Sequence, residues 1–213
     1  MICVALQEND VSKCLQILQT VELAEIRIDL AKFSKTDVTK IFSKSPAKLI
    51  ATCRPDNYSD TERMILLKAA ILAGAAYVDI EIESTVDFAS EMVSFAKKNH
   101  TLVIVSYHNY KKTPNISNLS SIIKSCFNIG ADIAKIATMV NSMNDVSKLL
   151  SLYNTNRKVI ILGMGEKGKI TRVLAPSFGS PFTFATLDES SATAPGQMTV
   201  EQLITIQNHL SKL

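Results

Sequence analysis

The chain has 213 residues, 46% of them hydrophobic and 20% charged. That is enough apolar side chain for one sizeable core and short for two domains. A formal net charge of +3 is too small to signal a nucleic-acid partner, and no uninterrupted apolar stretch is long enough to span a membrane.

Short β-rich runs alternate with helix-like segments from end to end. Candidate strands begin near Ile2, Ala24, Ala47, Ala76, Thr101, Asp132, Lys158 and Pro181. Between them, stretches such as 60–73, 86–98 and 142–153 place apolar residues every three or four positions. Asn9/Asp10, Ser59/Asp60, Ser84/Thr85 and Ser142 stand where helices should start, and Gly74 and Gly130 where they should stop. Eight such units in 213 residues give roughly 27 residues each, a workable length for a (β/α)8 TIM barrel. Runs such as VIV at 103–105 and VIIL at 159–162 suit parallel strands buried on both faces. The expected fold is therefore α/β, a single (β/α)8 TIM barrel over residues 1–213, with a doubly wound open sheet as the alternative. The weakly patterned stretches 110–118, 163–169 and 187–199 each follow a strand, on the face where barrel active sites are built.

Polar residues interrupt three of these strands. The second reads AEIRIDL from Ala24, and alternation puts Glu25, Arg27 and Asp29 on one face. Three charges there are costly unless they form an ion network, since an unpaired buried charge is expensive; a solvated edge strand is the other reading. The fifth strand ends in SYHNY, with His108 at its C-terminal end, whereas His100 closes a helix and His209 lies in the last one. An imidazole there suits proton transfer at neutral pH. The sixth reads DIAKIA from Asp132, with Lys135 flanked by Ile and Ala. Desolvation should lower the pKa of such a lysine and free a neutral amine for attack on a carbonyl; a lysine snorkelling from a strand end is the bland alternative. Arg27, Arg54 and Arg172 fall on or just after strands and are suited to gripping a carboxylate.

Residues 163–168 read GMGEKG, with Asp188 twenty positions beyond Gly168. This matches a dinucleotide-binding fingerprint but leaves too little chain for the rest of that fold. A phosphate loop or a turn-rich mobile loop fits the position better. The four cysteines, Cys3, Cys14, Cys53 and Cys126, form no CxxC pair, and without a secretion signal at the first residues they are expected to be reduced and mostly buried.

With these residues placed, the chain resembles the type I 3-dehydroquinate dehydratases of the shikimate pathway along nearly its whole length. The likeness rests on IAKIA around Lys135, APGQ ending at Gln197, Glu25-x-Arg27-x-Asp29, Arg54 after the third strand, His108 in its strand-end motif, and Gly168-x-x-x-Arg172. The resemblance implies dehydration of 3-dehydroquinate through a Schiff base on Lys135, with His108 moving the proton. It gives Arg172 the substrate carboxylate, Glu25, Arg27 and Arg54 the ring hydroxyls, and Thr193 and Gln197 a lid on the eighth loop. It further implies a cytoplasmic homodimer in aromatic amino-acid biosynthesis that needs no metal or organic cofactor; the scattered histidines and cysteines agree. Two departures stand out. Tyr58 occupies the place of a glutamate that supports the histidine, leaving Asp56, Glu62 or Tyr58 itself as candidates. Thr193 stands where serine is usual, with Ser190 and Ser191 close by. A class I aldolase acting on a phosphorylated sugar, and a non-catalytic barrel, are the competing readings.

Overall fold

The computed structural model describes residues 1–210; residues 211–213, the end of the expected barrel span, lie outside the described residues. Eight strands are laid down in chain order: β1 (Ile2–Leu6), β2 (Leu23–Arg27), β3 (Lys48–Thr52), β4 (Tyr77–Glu81), β5 (Leu102–Asn109), β6 (Ile133–Met139), β7 (Val159–Met164) and β8 (Thr183–Ala185). All pairings are parallel, in the order β7-β6-β5-β4-β3-β2-β1-β8. From β1 to β7 each strand pairs with its sequence neighbour, and β8 returns to β1. That is the cyclic order of a barrel, nearly closed, with a seam between β7 and β8; it rules out the doubly wound sheet, whose strand order reverses.

Among the described residues nine α-helices lie between or after the strands: α1 (Val11–Ile17), α2 (Ile28–Ala31), α3 (Lys35–Lys44), α4 (Asp60–Leu72), α5 (Val86–Lys98), α6 (Ile116–Ile129), α7 (Met143–Ser151), α8 (Lys169–Leu174) and α9 (Val200–Leu210). Their starts follow the capping logic of the sequence. The Asp10 carboxylate accepts from the Ser12 and Lys13 amides at 2.7 and 2.9 Å, and Ser59 and Glu62 form a reciprocal capping box. Gly130 ends α6 in the left-handed region at φ 117°.

Period-2 alternation divides the core in two. Along β6, Ala134 and Ile136 face the helices, while Ile133 and Ala137 join the barrel interior with Leu23, Ile50, Ile104, Ile160, Phe182 and Phe184. The interior is apolar at the N-terminal ends of the strands. One alternation step further along, Glu25, Thr52, Asp79, Ser106 and Lys135 take its place, all buried. The charged layer thus falls at the C-terminal ends, where the loops supply the remaining groups. All four cysteines are free and buried, as expected. The second strand is interior, between β1 and β3, so the edge-strand reading falls. It is also shorter than expected: it stops at Arg27, and Asp29 lies in α2 rather than on the strand face.

Candidate active site

Lys135 sits in the middle of the charged layer. Its Nζ donates to Asp79 Oδ2 at 3.1 Å and to Glu25 Oε1 at 3.3 Å, and lies 4.1 Å from the centroid of the Phe184 ring. Glu25 also accepts from Thr52 Oγ1 at 2.9 Å. Asp79 Oδ1 accepts from Ser106 Oγ at 2.6 Å and pairs with Arg54 at 3.1 Å. Arg54 reaches Glu81 at 3.4 Å, and Arg63, buried over the Phe88 ring, approaches Glu81 from behind at 3.9 Å. The result is a buried network of alternating sign in which each charge has a partner.

This network overturns one expectation. Burial does push the Lys135 amine toward neutrality, but the Asp79 and Glu25 carboxylates outweigh it and raise its pKa above the usual lysine value. At rest Lys135 is an ammonium ion. The same cations act on His108, whose pKa burial, Arg54 and Lys135 together hold well below the ordinary 6.5. The imidazole is therefore neutral at neutral pH. Register sets its position: Ser106 pairs with Lys135 and His108 with Ala137, so His108 lies one interior step above the amine, on the adjacent strand. Its ring stacks on Tyr110 at 6.2 Å between centroids.

Arg172 is a different case. It lies in α8, eight residues past the end of β7, rather than on or just after a strand. Its side chain is buried, yet among the described residues no carboxylate pairs with it. Nη1 donates to the Phe184 carbonyl at 3.3 Å, and buried Nε has no partner. Burial alone pulls its pKa down to about 10, which still leaves a cation at neutral pH.

A cavity of about 160 Å³ joins these groups. Glu25, Arg27, Arg54, His108, Lys135, Arg172, Thr193 and Gln197, the residues expected from the sequence, all line it. Arg27 is held there by a two-point pair with Asp29 at 2.6 and 3.1 Å. Gln197 Oε1 accepts from the amide and hydroxyl of Thr193 at 2.8 and 3.2 Å, and its Nε2 donates to Ala185 O at 3.2 Å. Ser190 and Ser191 are bonded to Asp188 instead, and neither lines the cavity. Of the candidates to support His108, Glu62 is taken up in capping α4. Tyr58 packs against the outer core, and Asp56 alone reaches the cavity. Asp79, Glu81 and Phe184 were missed from sequence. The first two had a readable signal, since YVDIE in β4 alternates charge as β2 does.

The glycine-rich stretch is spent on packing. A Cβ on Gly168 would lie 2.5 Å from the Gly163 carbonyl carbon, and one on Gly196 would lie 2.4 Å from Gly165 O. The Gly165 amide donates to Pro195 O at 3.0 Å. The loop after β7 is therefore the seat of the loop after β8, not a nucleotide fingerprint.

The family model for type I 3-dehydroquinase matches residues 2–213. The chain belongs to that family. A type I 3-dehydroquinase is a carbon–oxygen hydro-lyase, and this chain is an enzyme of that class. Among its relatives is 3-dehydroquinate dehydratase of Methanococcus maripaludis strain C5, 39% identical over 95% of this chain and 96% of that one. The enzyme of the same name from Methanocaldococcus jannaschii is also 39% identical, with the same coverage. Among solved structures, type I 3-dehydroquinate dehydratase of Clostridium difficile with covalently modified comenic acid superposes with a TM-score of 0.87 at 27% identity, covering 99% of this chain and 92% of that one.

Proposed function

We propose that the protein converts 3-dehydroquinate to 3-dehydroshikimate through a Schiff base on Lys135. The observation that carries this reading is that one small cavity holds a lysine, a neutral imidazole on the next strand and a buried guanidinium that, among the described residues, no carboxylate pairs with. The substrate brings a ketone and a carboxylate, one for each end of that arrangement.

In this reading Arg172 receives the carboxylate, and Glu25, Arg27, Arg54, Thr193 and Gln197 bind hydroxyls and shut out water. Lys135 hands a proton to His108, and the freed amine adds to the C3 carbonyl. His108 returns the proton to the carbinolamine oxygen, which departs as water and leaves an iminium ion. His108, neutral again, takes the C2 proton, and the C–H electrons flow into the C=N bond to give an enamine. The enamine expels the C1 hydroxyl, which leaves as water with the proton from His108. Water then adds at C3, and hydrolysis releases 3-dehydroshikimate and the Lys135 ammonium. The imine is the electron sink, so the chemistry calls for neither metal nor organic cofactor. We place the activity in the shikimate pathway to aromatic amino acids, in the cytoplasm, with the protein as a homodimer.

The aldolase alternative would use residues 163–168 for phosphate, but their glycines are taken up by backbone contacts. Borohydride added with 3-dehydroquinate should fix a covalent adduct on Lys135, seen as a mass increase on the peptide that carries it. Lys135→Ala should give no adduct and no measurable rise in the ultraviolet absorbance of the enone product. Near-normal turnover by that variant would end this reading.

A further inference from the structure

The charged layer satisfies the resting ammonium through hydrogen bonds: Lys135 Nζ donates to both Asp79 and Glu25. That arrangement cannot survive the reaction intact. An ammonium has three N–H groups, whereas an iminium nitrogen bonded to the substrate carbon keeps one. At least one carboxylate bond is lost just when the nitrogen must stay positive to draw electrons from C2.

One contact to this nitrogen needs no N–H. The Phe184 ring is buried and lines the cavity, and Nζ stands over its face, 4.1 Å from the centroid. It is held there from below. Phe184 packs edge-on against Phe182 at 5.6 Å and 60°, and Phe182 packs against Tyr77 at 5.6 Å and 65°. The Phe184 carbonyl is also the acceptor for Arg172, so the residue that seats the carboxylate-binding guanidinium also presents the ring to the reacting nitrogen.

An aromatic face attracts cations through its quadrupole, most strongly where water is excluded. In the resting site two carboxylates touch the ammonium and offset its charge at the ring. In the iminium the charge is spread over a flat C–N unit that can lie along a ring face, as a guanidinium does, with one carboxylate bond at most. The ring therefore gains in relative importance on passing from amine to iminium.

We propose that Phe184 is a catalytic residue whose ring face stabilises the positive charge of the iminium formed at Lys135. This role rests on the Schiff-base reading above. It goes beyond the apolar wall that a phenyl ring in a cavity would otherwise supply.

Replacing Phe184 with mono-, di- and trifluorophenylalanine drains the ring face step by step while nearly keeping its shape. Two readouts follow each variant: the rate of borohydride trapping with 3-dehydroquinate, and kcat. Both should fall in order with each fluorine, by roughly three- to thirtyfold across the series, with Phe184→Leu at or below the trifluoro variant. Equal trapping and kcat across the series overturns the role of the ring, even if Phe184→Leu is impaired, because that would show a need for bulk alone. If the unmodified protein traps no adduct at Lys135, the Schiff-base reading fails and this role with it.

Discussion

Two of the buried cations in the cavity, Lys135 and Arg172, are treated in opposite ways. Lys135 is enclosed by Asp79 and Glu25, with Arg54 and Ser106 completing the set around Asp79. Arg172 has one peptide carbonyl and an orphaned Nε. The first region is balanced within the protein, and the second is left with a buried donor unpaired. On the proposed reading, the reacting group is held in register by internal partners while the recognition group is left unsatisfied, so that ligand binding would repair a native-state deficit.

The contrast is broken most directly by neutralising one charge on each side. Asp79→Asn removes a partner from a buried network and should cost about 3–5 kcal/mol of unfolding free energy at neutral pH, measured by urea denaturation. The sign of its pH dependence follows from the native carboxyl. Burial disfavours its charged form, but Arg54 and Lys135 outweigh that and hold its pKa well below the ordinary 3.8. Its contribution is complete above that value and is lost as pH falls below it. The gap between wild type and Asp79→Asn should therefore close in acid; a gap that widened there would contradict the network.

Arg172→Met should move the other way. Removing a buried donor that lacks a partner should stabilise the unliganded protein by about 1–3 kcal/mol. The same change should raise KM roughly ten- to hundredfold, the loss expected for one charge-assisted pair. Destabilisation by this substitution would mean that Arg172 is structural, and the two regions would no longer differ in kind.

How much of this was legible in the chain follows from the range of the interactions. Strand starts, caps and the order of eight units were readable because alternation and capping are local. The cavity residues on β2, β5 and β6 were readable because a charge inside an apolar run is conspicuous. The charge state of Lys135 was not, because its sequence neighbours Ala134 and Ile136 face the helices. The groups that decide its charge, Asp79 and Glu25, are 56 and 110 residues away. Asp29 was misplaced because alternation assumes that a strand continues, and this one turns into α2 after Arg27. Arg172 lines the cavity but was expected near a strand end, since the helical path that brings α8 to the cavity leaves no period-2 trace.

His108 offers the finest test, because it borders the balanced region and would report how protons move there in the proposed reaction. If the Lys135 ammonium had to release its proton to solvent before each turnover, kcat/KM would climb about tenfold per pH unit through neutrality, because the amine titrates above its usual value. If the proton passes to neutral His108 inside the cavity, the enzyme keeps its total proton count and kcat/KM stays level. It then falls only when His108 is already protonated, which burial, Arg54 and Lys135 postpone to well below 6.5. We expect the level profile, holding from the mildly alkaline side down through 6.5. A midpoint at or above 6.5 would show an ordinary histidine, and a unit slope across neutrality would show a proton leaving the site; either would separate the imidazole from the charged layer beneath it.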